Sequence, residues 1–357
     1  KMISDRLKKI ICDELYLDVN EIEITDETEA PQVPGWGGYR LIWRRQALKD
    51  LLLRIVPDII EIHDKTTLWW LGVFAQKIGA TGFVFSHESL SQLLKSHLKI
   101  SWIAHRLADN QHRRLMRDTQ NFICASTFAA NELERLDIAP IRISLGVDHT
   151  QFGSDQLINE HADQFHGRAH TVTFVGRLSP EKNPYLAVSA MREICQTRHD
   201  IQLVVIGDGP LKEELMDHAR DLPITFLGHL TDREYIASIL RNSFCTLNLG
   251  DRETFSLSTL ESLASGTPAI VASSGASREI LAAGCGVATS LTPICVSLAI
   301  ESMLLSDRDV ARKACRDRAG QFTWEKAAKT LLHSYGNSEP VSNLENQLHN
   351  IEFGRVA

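Results

Sequence analysis

Residues 253–279, ETFSLSTLESLASGTPAIVASSGASRE, contain the most informative pattern in this chain. Glu253 and Glu261 stand eight residues apart, and a predicted helix begins between them. The free backbone N–H groups of the Phe255-Ser256-Leu257 segment would open this helix, and a helix N-terminus favours an anion. Carboxylates repel phosphate but accept hydrogen bonds from hydroxyl groups. A phosphate between two hydroxyl-bearing groups describes a nucleotide sugar, which is therefore the predicted ligand.

Short apolar runs alternate with helical patterns on both sides of this stretch, which predicts parallel sheets covered on both faces. The predicted strands are 58–63, 82–86, 122–125, 141–145, 171–175, 201–206, 224–227, 244–249 and 268–272. The predicted helices are 41–56, 66–79, 91–117, 127–136, 184–196, 210–219, 232–241, 255–265, 276–283 and 297–304. The predicted fold class is α/β, with two doubly wound domains across a cleft and ligands at the carboxyl ends of strands.

Length and composition agree with a two-domain globular protein. The 357 residues are enough for two sizeable cores, and 43% of them are hydrophobic. No apolar run approaches the length of a membrane span, and no charged-then-apolar leader is present, so we expect a cytoplasmic protein. The seven cysteines, at 12, 124, 195, 245, 285, 295 and 315, include no C-x-x-C pair. We expect them to be reduced and free of metal.

Glycine turns and polar residues follow several strands of the second predicted domain, where parallel strands present their carboxyl ends. The candidates are Arg177 and Lys182 for a diphosphate, and Gly207, Gly228, His229 and Leu230 for a nucleobase edge. Arginine offers a planar fork of donors and lysine a point charge. Singly, such residues are as readily surface charges, ordinary turns or a solvated helix face. Their joint position favours a binding site.

These motifs together resemble glycosyltransferase family 4, which has the GT-B fold of two Rossmann-like domains and retains the configuration of the transferred sugar. The resemblance covers residues 171–335 and lies in GRLSPEK, VIGDGPL, FLGHL and Glu-x7-Glu running into ASGTP. It implies that Arg177 and Lys182 hold the diphosphate, Glu261 the ribose and Glu253 the sugar hydroxyls. The amides of residues 255–257 would lie beside the phosphates. The family uses no catalytic metal, and we expect no cofactor besides the nucleotide sugar.

Motifs in the first half resemble a narrower branch, the actinobacterial GDP-mannose-dependent α-mannosyltransferases that act on glycolipid or phosphatidylinositol acceptors. These motifs are EIHDKTTL at 61–68, FSHESL at 85–90, PGWGGY at 34–39 and LGVD at 145–148. By this likeness His87 would be catalytic, meeting the transferred sugar near the reacting carbon. His63 is placed similarly, and the alternative for it is a loop histidine without a role in the reaction.

A basic block interrupts an otherwise acidic chain of net charge −7: residues 31–117 hold 13 Lys and Arg against 6 Asp and Glu. Residues 93–117 carry Lys95, Lys99, Arg106, Arg113, Arg114 and Arg117, interleaved with Leu94, Leu98, Trp102 and Ile103. Such a helix suits an anionic membrane surface, and we expect peripheral contact with the inner face of the plasma membrane. The alternative is a solvated helix whose basic side-chain stems cover apolar area. No nucleic-acid motif or stacking platform is present, so we expect no nucleic-acid partner.

The predicted domains follow from these assignments. They are an atypical N-terminal segment 1–30, an acceptor-binding domain 31–149, a linker 150–170, a nucleotide-sugar-binding domain 171–321, a closing helix 322–336 and a mobile tail 337–357. The family's opening strand and glycine-rich loop have no counterpart in residues 1–30, so the first domain is expected to be incomplete.

The predicted function is retaining transfer of mannose from GDP-mannose to a lipid-linked or phosphatidylinositol-type acceptor. Three alternatives stay open at this point: a UDP-sugar-dependent glucosyltransferase, a nucleotide-sugar epimerase on the same fold, and a non-catalytic nucleotide-sugar-binding relic.

Overall fold

The computed structural model describes residues 45–97, 101–117, 119, 121–153 and 169–336. The chain divides into two units, of which unit 1 is Lys1–Ser144 with Trp324–Ala357 and unit 2 is Leu145–Thr323. The predicted segment 1–30, the glycine cluster at 34–39, most of the predicted linker and the tail 337–357 lie outside the described residues.

The described part of unit 1 contains four parallel strands in the order β1-β2-β3-β4. The strands are β1 (Ile59–Ile62), β2 (Thr81–Ser86), β3 (Asn121–Cys124) and β4 (Ile141–Arg142). The helices are α1 (Arg45–Ile55), α2 (Leu71–Lys77), α3 (Leu90–His97), α4 (Ser101–Met116), α5 (Thr127–Glu134) and, from the end of the chain, α14 (Trp324–Gly336). Phe83, Val84 and Phe122 are fully buried in this sheet, and α14 places the ring of Tyr335 edge-on to Phe83 with centroids 4.7 Å apart.

Two predictions for unit 1 differ in detail from the structure. The described residues of the long helix predicted over 91–117 lie in two helices, α3 and α4, and residues 98–100 between them lie outside the described residues. The helix predicted over 66–79 begins only at Leu71, because Asp64 accepts hydrogen bonds from the amides of Thr66 and Thr67 at 2.7 and 3.2 Å and so stabilises a turn there.

Unit 2 contains six parallel strands in the order β10-β9-β8-β5-β6-β7. The strands are β5 (His170–Val175), β6 (Ile201–Ile206), β7 (Ile224–Gly228), β8 (Cys245–Asn248), β9 (Ala269–Ala272) and β10 (Gly286–Thr289). The helices are α6 (His149–Phe152), α7 (Pro184–Ile194), α8 (Lys212–His218), α9 (Arg233–Asn242), α10 (Leu257–Ala264), α11 (Ser277–Ile280), α12 (Pro293–Leu304) and α13 (Arg308–Ala319). All six residues of β6 are buried, as expected for a strand covered on both faces.

Side-chain caps fix where several helices of unit 2 begin. Asp232 caps α9, Ser256 caps α10, Thr292 caps α12 and Asp307 caps α13, each accepting from amides in the first turn. Helix α13 and strand β10 were not predicted, and α6 falls largely within the segment predicted to be a linker. Asp148 caps α6 and Phe152 is fully buried, so residues 149–152 belong to the packed unit.

No helix among the described residues is both long and apolar enough to cross a membrane.

Candidate active site

The strand order of unit 2 places the loops after β5 and β8 side by side. β5 pairs with β6 on one side and with β8 on the other, so the direction of winding reverses between β5 and β8. In open parallel sheets, ligands bind at the carboxyl ends of the strands where such a reversal occurs. The exposed Arg177 follows β5 and the half-buried Glu253 follows β8, so the topology assigns both to this edge.

Lys182 and Glu253 form an ion pair at this edge. Lys182 Nζ lies 2.5 Å from Glu253 Oε1, and the two side chains are 31% and 10% exposed. The 3-10 turn Pro180–Lys182 presents the lysine, and Asn183 Nδ2 donates to the carbonyl of Leu249 at 2.9 Å. These contacts bring together two predicted ligand-binding groups from loops that are far apart in the sequence.

Helix α10 begins beside Glu253, as the spacing predicted. Ser256 is its N-cap, with the side chain accepting from the amide of Thr259, so the first amides of the helix itself are those of Leu257 and Ser258. Phe255 precedes the cap, and its side chain packs against the core. The backbone carbonyl of Glu253 accepts from the amide of Ala276 at 3.0 Å, which fixes the turn leading into the helix.

Gly207 brings the loops after β5 and β6 into backbone contact. It adopts φ +144°, and a Cβ atom there would lie 1.9 Å from the carbonyl oxygen of Gly176. The amide of Leu178 donates to the carbonyl of Asp208 at 2.9 Å, and the amide of Leu211 donates to the carbonyl of Leu178 at 3.0 Å. Only glycine fits this approach, so Gly207 is required by the geometry of the rim.

The predicted nucleobase residues lie on the neighbouring loop. The amide of Gly207 donates to the carbonyl of Gly228 at 2.7 Å, which joins the ends of β6 and β7. His229 follows as an exposed residue and Leu230 as a half-buried one. The structure therefore brings Gly207 and Gly228 together and continues directly into His229 and Leu230.

Glu261 is held by a partner that the sequence analysis missed. Arg233, the first residue of α9, places Nη2 2.6 Å from Glu261 Oε1 and Nε 3.1 Å from Gln151 Oε1. Its guanidinium also lies over the ring of Phe152, 5.1 Å from the centroid. The Thr-Asp-Arg sequence at 231–233 signals a capped helix start, but nothing in it indicates a bond to a carboxylate 28 residues away.

In unit 1, His63 and His87 lie at the carboxyl ends of the adjacent strands β1 and β2, and the two rings are in contact. His63 Nδ1 is hydrogen-bonded to His87 Nε2, and the two rings are nearly parallel, at 12°, with centroids 4.7 Å apart. His63 Nε2 lies 2.6 Å from Glu61 Oε1, and the hydroxyl of Tyr335 donates to Glu61 Oε2. The Glu61 and Tyr335 partners were not predicted.

Burial and charge set the protonation of this group. Burial, followed by the charge of His63, lowers the pKa of His87 to about 3, so its ring is neutral at physiological pH. Burial raises the pKa of Glu61, but the charge of His63 and the hydrogen bonds from His63 and Tyr335 outweigh it and lower that pKa below the usual value. Glu61 is therefore an ionised carboxylate.

The segment carrying His87 is anchored by two buried charged side chains. The ammonium of Lys65 donates to Ser86 Oγ at 2.8 Å and to the carbonyl of Glu88. The carboxylate of Glu132 accepts from the amides of Leu90 and Ser91 at 3.0 and 2.7 Å, which caps α3. Lys65 and Glu132 are only 6% and 8% exposed.

Within the part of the chain that the structure describes, no group of three or more His, Cys, Asp or Glu side chains is placed to hold a metal ion. The six cysteines in that part form no disulfide bond with one another, and Cys12 lies outside it.

Comparison with known proteins identifies the family. The family model for Glycosyltransferase Family 4 matches residues 11–151, and the model for Glycosyl transferases group 1 matches residues 158–314. A GDP-mannose-dependent alpha-(1-6)-phosphatidylinositol dimannoside mannosyltransferase of Mycobacterium tuberculosis is 32% identical over 310 residues, covering 86% of this chain and 81% of the relative. The chain belongs to glycosyltransferase family 4. It is a hexosyltransferase.

Two further comparisons extend this assignment. An alpha-monoglucosyldiacylglycerol synthase of Streptococcus pneumoniae is 26% identical, with 71% of this chain and 61% of the relative covered. The Anabaena protein HepE, solved with UDP and glucose, superposes with a TM-score of 0.68 at 16% identity over 82% of each chain. The predicted GT-B fold of this glycosyltransferase is confirmed. The family match begins at residue 11, inside the segment predicted to be atypical.

Proposed function

We propose that this glycosyltransferase transfers mannose from GDP-mannose to a phosphatidylinositol-type or other lipid-linked acceptor with retention of configuration. The observation that carries the proposal is the pairing of Lys182 with Glu253 next to the first amides of α10. A cation and a helix N-terminus suit a diphosphate, and a carboxylate beside them suits sugar hydroxyls. The M. tuberculosis relative, named for GDP-mannose and phosphatidylinositol dimannoside, supports the donor and the acceptor class.

In this mechanism Lys182 leaves its ion pair with Glu253 and binds the donor diphosphate. Arg177, Lys182 and the amides of Leu257 and Ser258 would neutralise the diphosphate, and stabilising charge on the leaving group is the main catalytic term. Glu253, released from the ion pair, would accept hydrogen bonds from the mannose hydroxyls. The β-phosphate freed by cleavage would accept the proton of the acceptor hydroxyl.

The remaining predicted residues complete the donor site. Glu261, oriented by Arg233, would bind the ribose hydroxyls, while Gly207, Gly228, His229 and Leu230 would meet the edge of the base. His87 would contact the transferred sugar. No metal enters the proposed transfer, so excess EDTA should leave the rate of GDP release unchanged.

Helix α4 supports a lipid acceptor. Its exposed side chains include Trp102, 67% exposed, Leu107, 46% exposed, Arg106, Arg113 and Arg114, and the exposed Arg117 follows directly after the helix. Exposed aromatic and basic side chains on one helix suit an anionic membrane surface. Lys95 is half-buried and Lys99 lies outside the described residues, so α4 supplies this surface. Replacing Arg106 and Arg113 by Ser should reduce the fraction of protein that floats with vesicles of anionic phosphatidylglycerol. The fraction that floats with zwitterionic phosphatidylcholine vesicles should not change.

Two measurements test the donor and the reaction. A thermal-shift panel of GDP, UDP and ADP with their sugars should show the largest shift for GDP and GDP-mannose, because a ligand that binds the native state raises Tm. GDP release from GDP-mannose should then require the acceptor lipid. A larger shift with UDP-glucose would favour a glucosyltransferase, for which the S. pneumoniae relative is a precedent.

Glu253→Ala tests the role of the carboxylate. We expect loss of mannosyl transfer by at least about 100-fold, since a group that contacts the reacting sugar is removed. GDP affinity should be equal to or higher than that of the parent, because Lys182 no longer has a competing partner. Glu213→Ala, an exposed carboxylate on α8 of the same unit, is the matched control and should leave both quantities unchanged.

An epimerase and a non-catalytic relic would each give a different result in these assays. GDP-mannose binding without turnover on any acceptor would indicate the relic, and a change in the sugar of the donor without acceptor would indicate the epimerase. Parental activity in Glu253→Ala would contradict the role assigned to that carboxylate.

A further inference from the structure

A continuous chain of hydrogen bonds in unit 1 runs from Tyr335 through Glu61 and His63 to His87. It crosses three elements, because Tyr335 lies on α14, Glu61 and His63 belong to β1 and its end, and His87 follows β2. The ring of His87 is also stacked on Phe85, with centroids 4.1 Å apart. The position of His87 is therefore set on two sides by partners that the transfer mechanism does not use.

The hydrogen-bond roles follow from the chemistry of each group. The ionised Glu61 carboxylate can only accept, so it accepts from the hydroxyl of Tyr335 and from Nε2–H of His63. When His63 is neutral, its Nδ1 carries a lone pair and accepts from Nε2–H of His87. Nδ1 of His87 then carries a lone pair as well.

Uptake of one proton reverses these roles without charging His87. The added proton binds Nδ1 of His87, and the proton on Nε2 of His87 passes to Nδ1 of His63. The positive charge then lies on His63 beside Glu61, while His87 stays neutral as the other tautomer. Nδ1 of His87 has changed from hydrogen-bond acceptor to donor. The same logic, a buried carboxylate fixing the tautomer of an imidazole, operates in hydrolase triads.

We propose that Glu61 and His63 are positioning residues of the transfer, which hold His87 through Nε2 and decide whether its Nδ1 offers a lone pair or a hydrogen to the bound sugar. This inference rests on the proposed contact between His87 and the transferred sugar. The lone-pair form accepts a hydrogen bond from a sugar hydroxyl and is the active one. The transfer activity should therefore fall at acid pH, when the hydrogen-bond chain takes up the added proton.

The charged and titratable groups facing His87 are Glu61, His63 and Lys65, with Tyr335 acting through Glu61. Two substitutions should shift, in opposite directions, the pH at which this hydrogen-bond chain takes up a proton. Glu61→Gln removes the negative charge that stabilises the added proton, so the acid limb of kcat/KM should move to lower pH by about one unit. Tyr335→Phe keeps the ring on Phe83 but removes a hydrogen bond to the carboxylate, so the limb should move to higher pH.

His63→Phe tests whether the hydrogen bond with His63 positions the His87 ring. It preserves an aromatic ring in the stack but removes the hydrogen bond to Nε2, and kcat should fall about 10- to 100-fold with little change in the KM for donor. His333→Gln, an exposed histidine two residues from Tyr335 on the same helix, is the control and should leave the rate and the pH profile unchanged.

The direct readout is the tautomer of His87, measured by long-range ¹H–¹⁵N correlation spectra of histidine-labelled full-length protein. At pH 8 we expect a single tautomer with the proton on Nε2, and a mixture of tautomers in His63→Phe. Parallel shifts of the pH limb in Glu61→Gln and Tyr335→Phe, or the same tautomer in His63→Phe as in the parent, would overturn the proposal. The spectra need no turnover, so an inactive parent protein would contradict only the proposed function.

Discussion

The two units of this glycosyltransferase differ in how far their paired charged side chains are buried. In unit 2, Lys182, Glu253, Arg233 and Glu261 are partly exposed, paired across loops and positioned by backbone contacts such as that of Gly207. In unit 1, Lys65 and Glu132 are buried almost completely, and burial is the largest influence on their pKa values and on those of Glu61 and His87. The ion pairs of unit 2 are thus reachable from solvent, whereas the charged groups of unit 1 are enclosed in its core.

This difference determines how substitutions should act. A change at the rim of unit 2 acts through backbone geometry or ligand affinity. A change in the polar core of unit 1 acts through desolvation and therefore depends on pH. All six tryptophans fall in the sequence of unit 1, so tryptophan fluorescence follows the unfolding of that unit selectively.

Gly207→Ala should have the largest effect. A Cβ atom 1.9 Å from the carbonyl oxygen of Gly176, on a backbone with φ +144°, forces the loops after β5 and β6 apart. We expect unit 2 to lose at least about 3 kcal/mol of stability and the protein to lose measurable GDP binding. Calorimetry and GDP titration measure the two losses.

Gly79→Ala is the matched substitution in unit 1. Gly79 also has a positive φ, +81°, but a Cβ atom there meets nothing within 4 Å. The cost should be about 1–2 kcal/mol, from the left-handed conformation alone, with GDP binding unchanged. Equal losses at the two glycines would show that close backbone approach does not distinguish the rim of unit 2.

Residues near in sequence to a strand end were predictable, and their partners across the fold were not. Glu253, Lys182 and His87 follow strands within short, recognisable motifs. Arg233 binds Glu261, and Tyr335 and Glu61 act on His87 through His63. Tyr335 reaches Glu61 across 274 positions of sequence. A pattern of hydrophobic periodicity carries no information about such a contact.

The misplaced elements have equally local causes. Residues 98–100, between α3 and α4, lie outside the described residues, and the sequence around them is basic, has a helical pattern and contains no proline or glycine. β10 is only four residues long and, as an edge strand, none of its residues is fully buried, so its apolar signal is weak.

Lys65→Met tests the buried charge of unit 1. Removing the ammonium takes a donor from Ser86 Oγ and from the carbonyl of Glu88, and it removes the main charge that stabilises the Glu132 carboxylate, which should cost about 2–3 kcal/mol at pH 7. Urea unfolding followed by tryptophan fluorescence measures this cost. Lys77→Met, an exposed lysine at the end of α2, should cost less than about 0.5 kcal/mol.

The pH dependence of Lys65 provides a second signature. Burial lowers its pKa to about 8 from the ordinary 10.5. Between these values the unfolded chain binds a proton that the folded unit does not, so stability rises with pH, by at most about 1.4 kcal/mol per unit. Lys65→Met should lack this rise between pH 8 and 9.5. The same slope in parent and variant would mean that Lys65 is solvated.

The smallest predicted effect concerns His112, which is fully buried on α4 and has no hydrogen-bond partner for either ring nitrogen among the described residues. Burial, and next the charge of Lys65, lowers its pKa to about 4. Since the unfolded chain binds the proton near pH 6.5, unit 1 loses stability as the pH falls from 6.5 towards 4. His112→Leu removes this loss and an unpaired polar group, at the cost of some packing volume.

We therefore expect His112→Leu to be within about 1 kcal/mol of the parent at pH 7.5 and more stable than it at pH 5. The variant should still lose some stability at acid pH. The pKa of His87 is also lowered, to about 3, so His87 likewise makes unit 1 less stable as the pH falls. Unfolding curves by tryptophan fluorescence at the two pH values measure the difference. A variant that is destabilised equally at pH 7.5 and pH 5 would show that His112 contributes to packing alone. His112 would then not belong with Lys65 and Glu132 among the buried groups that make the stability of unit 1 depend on pH.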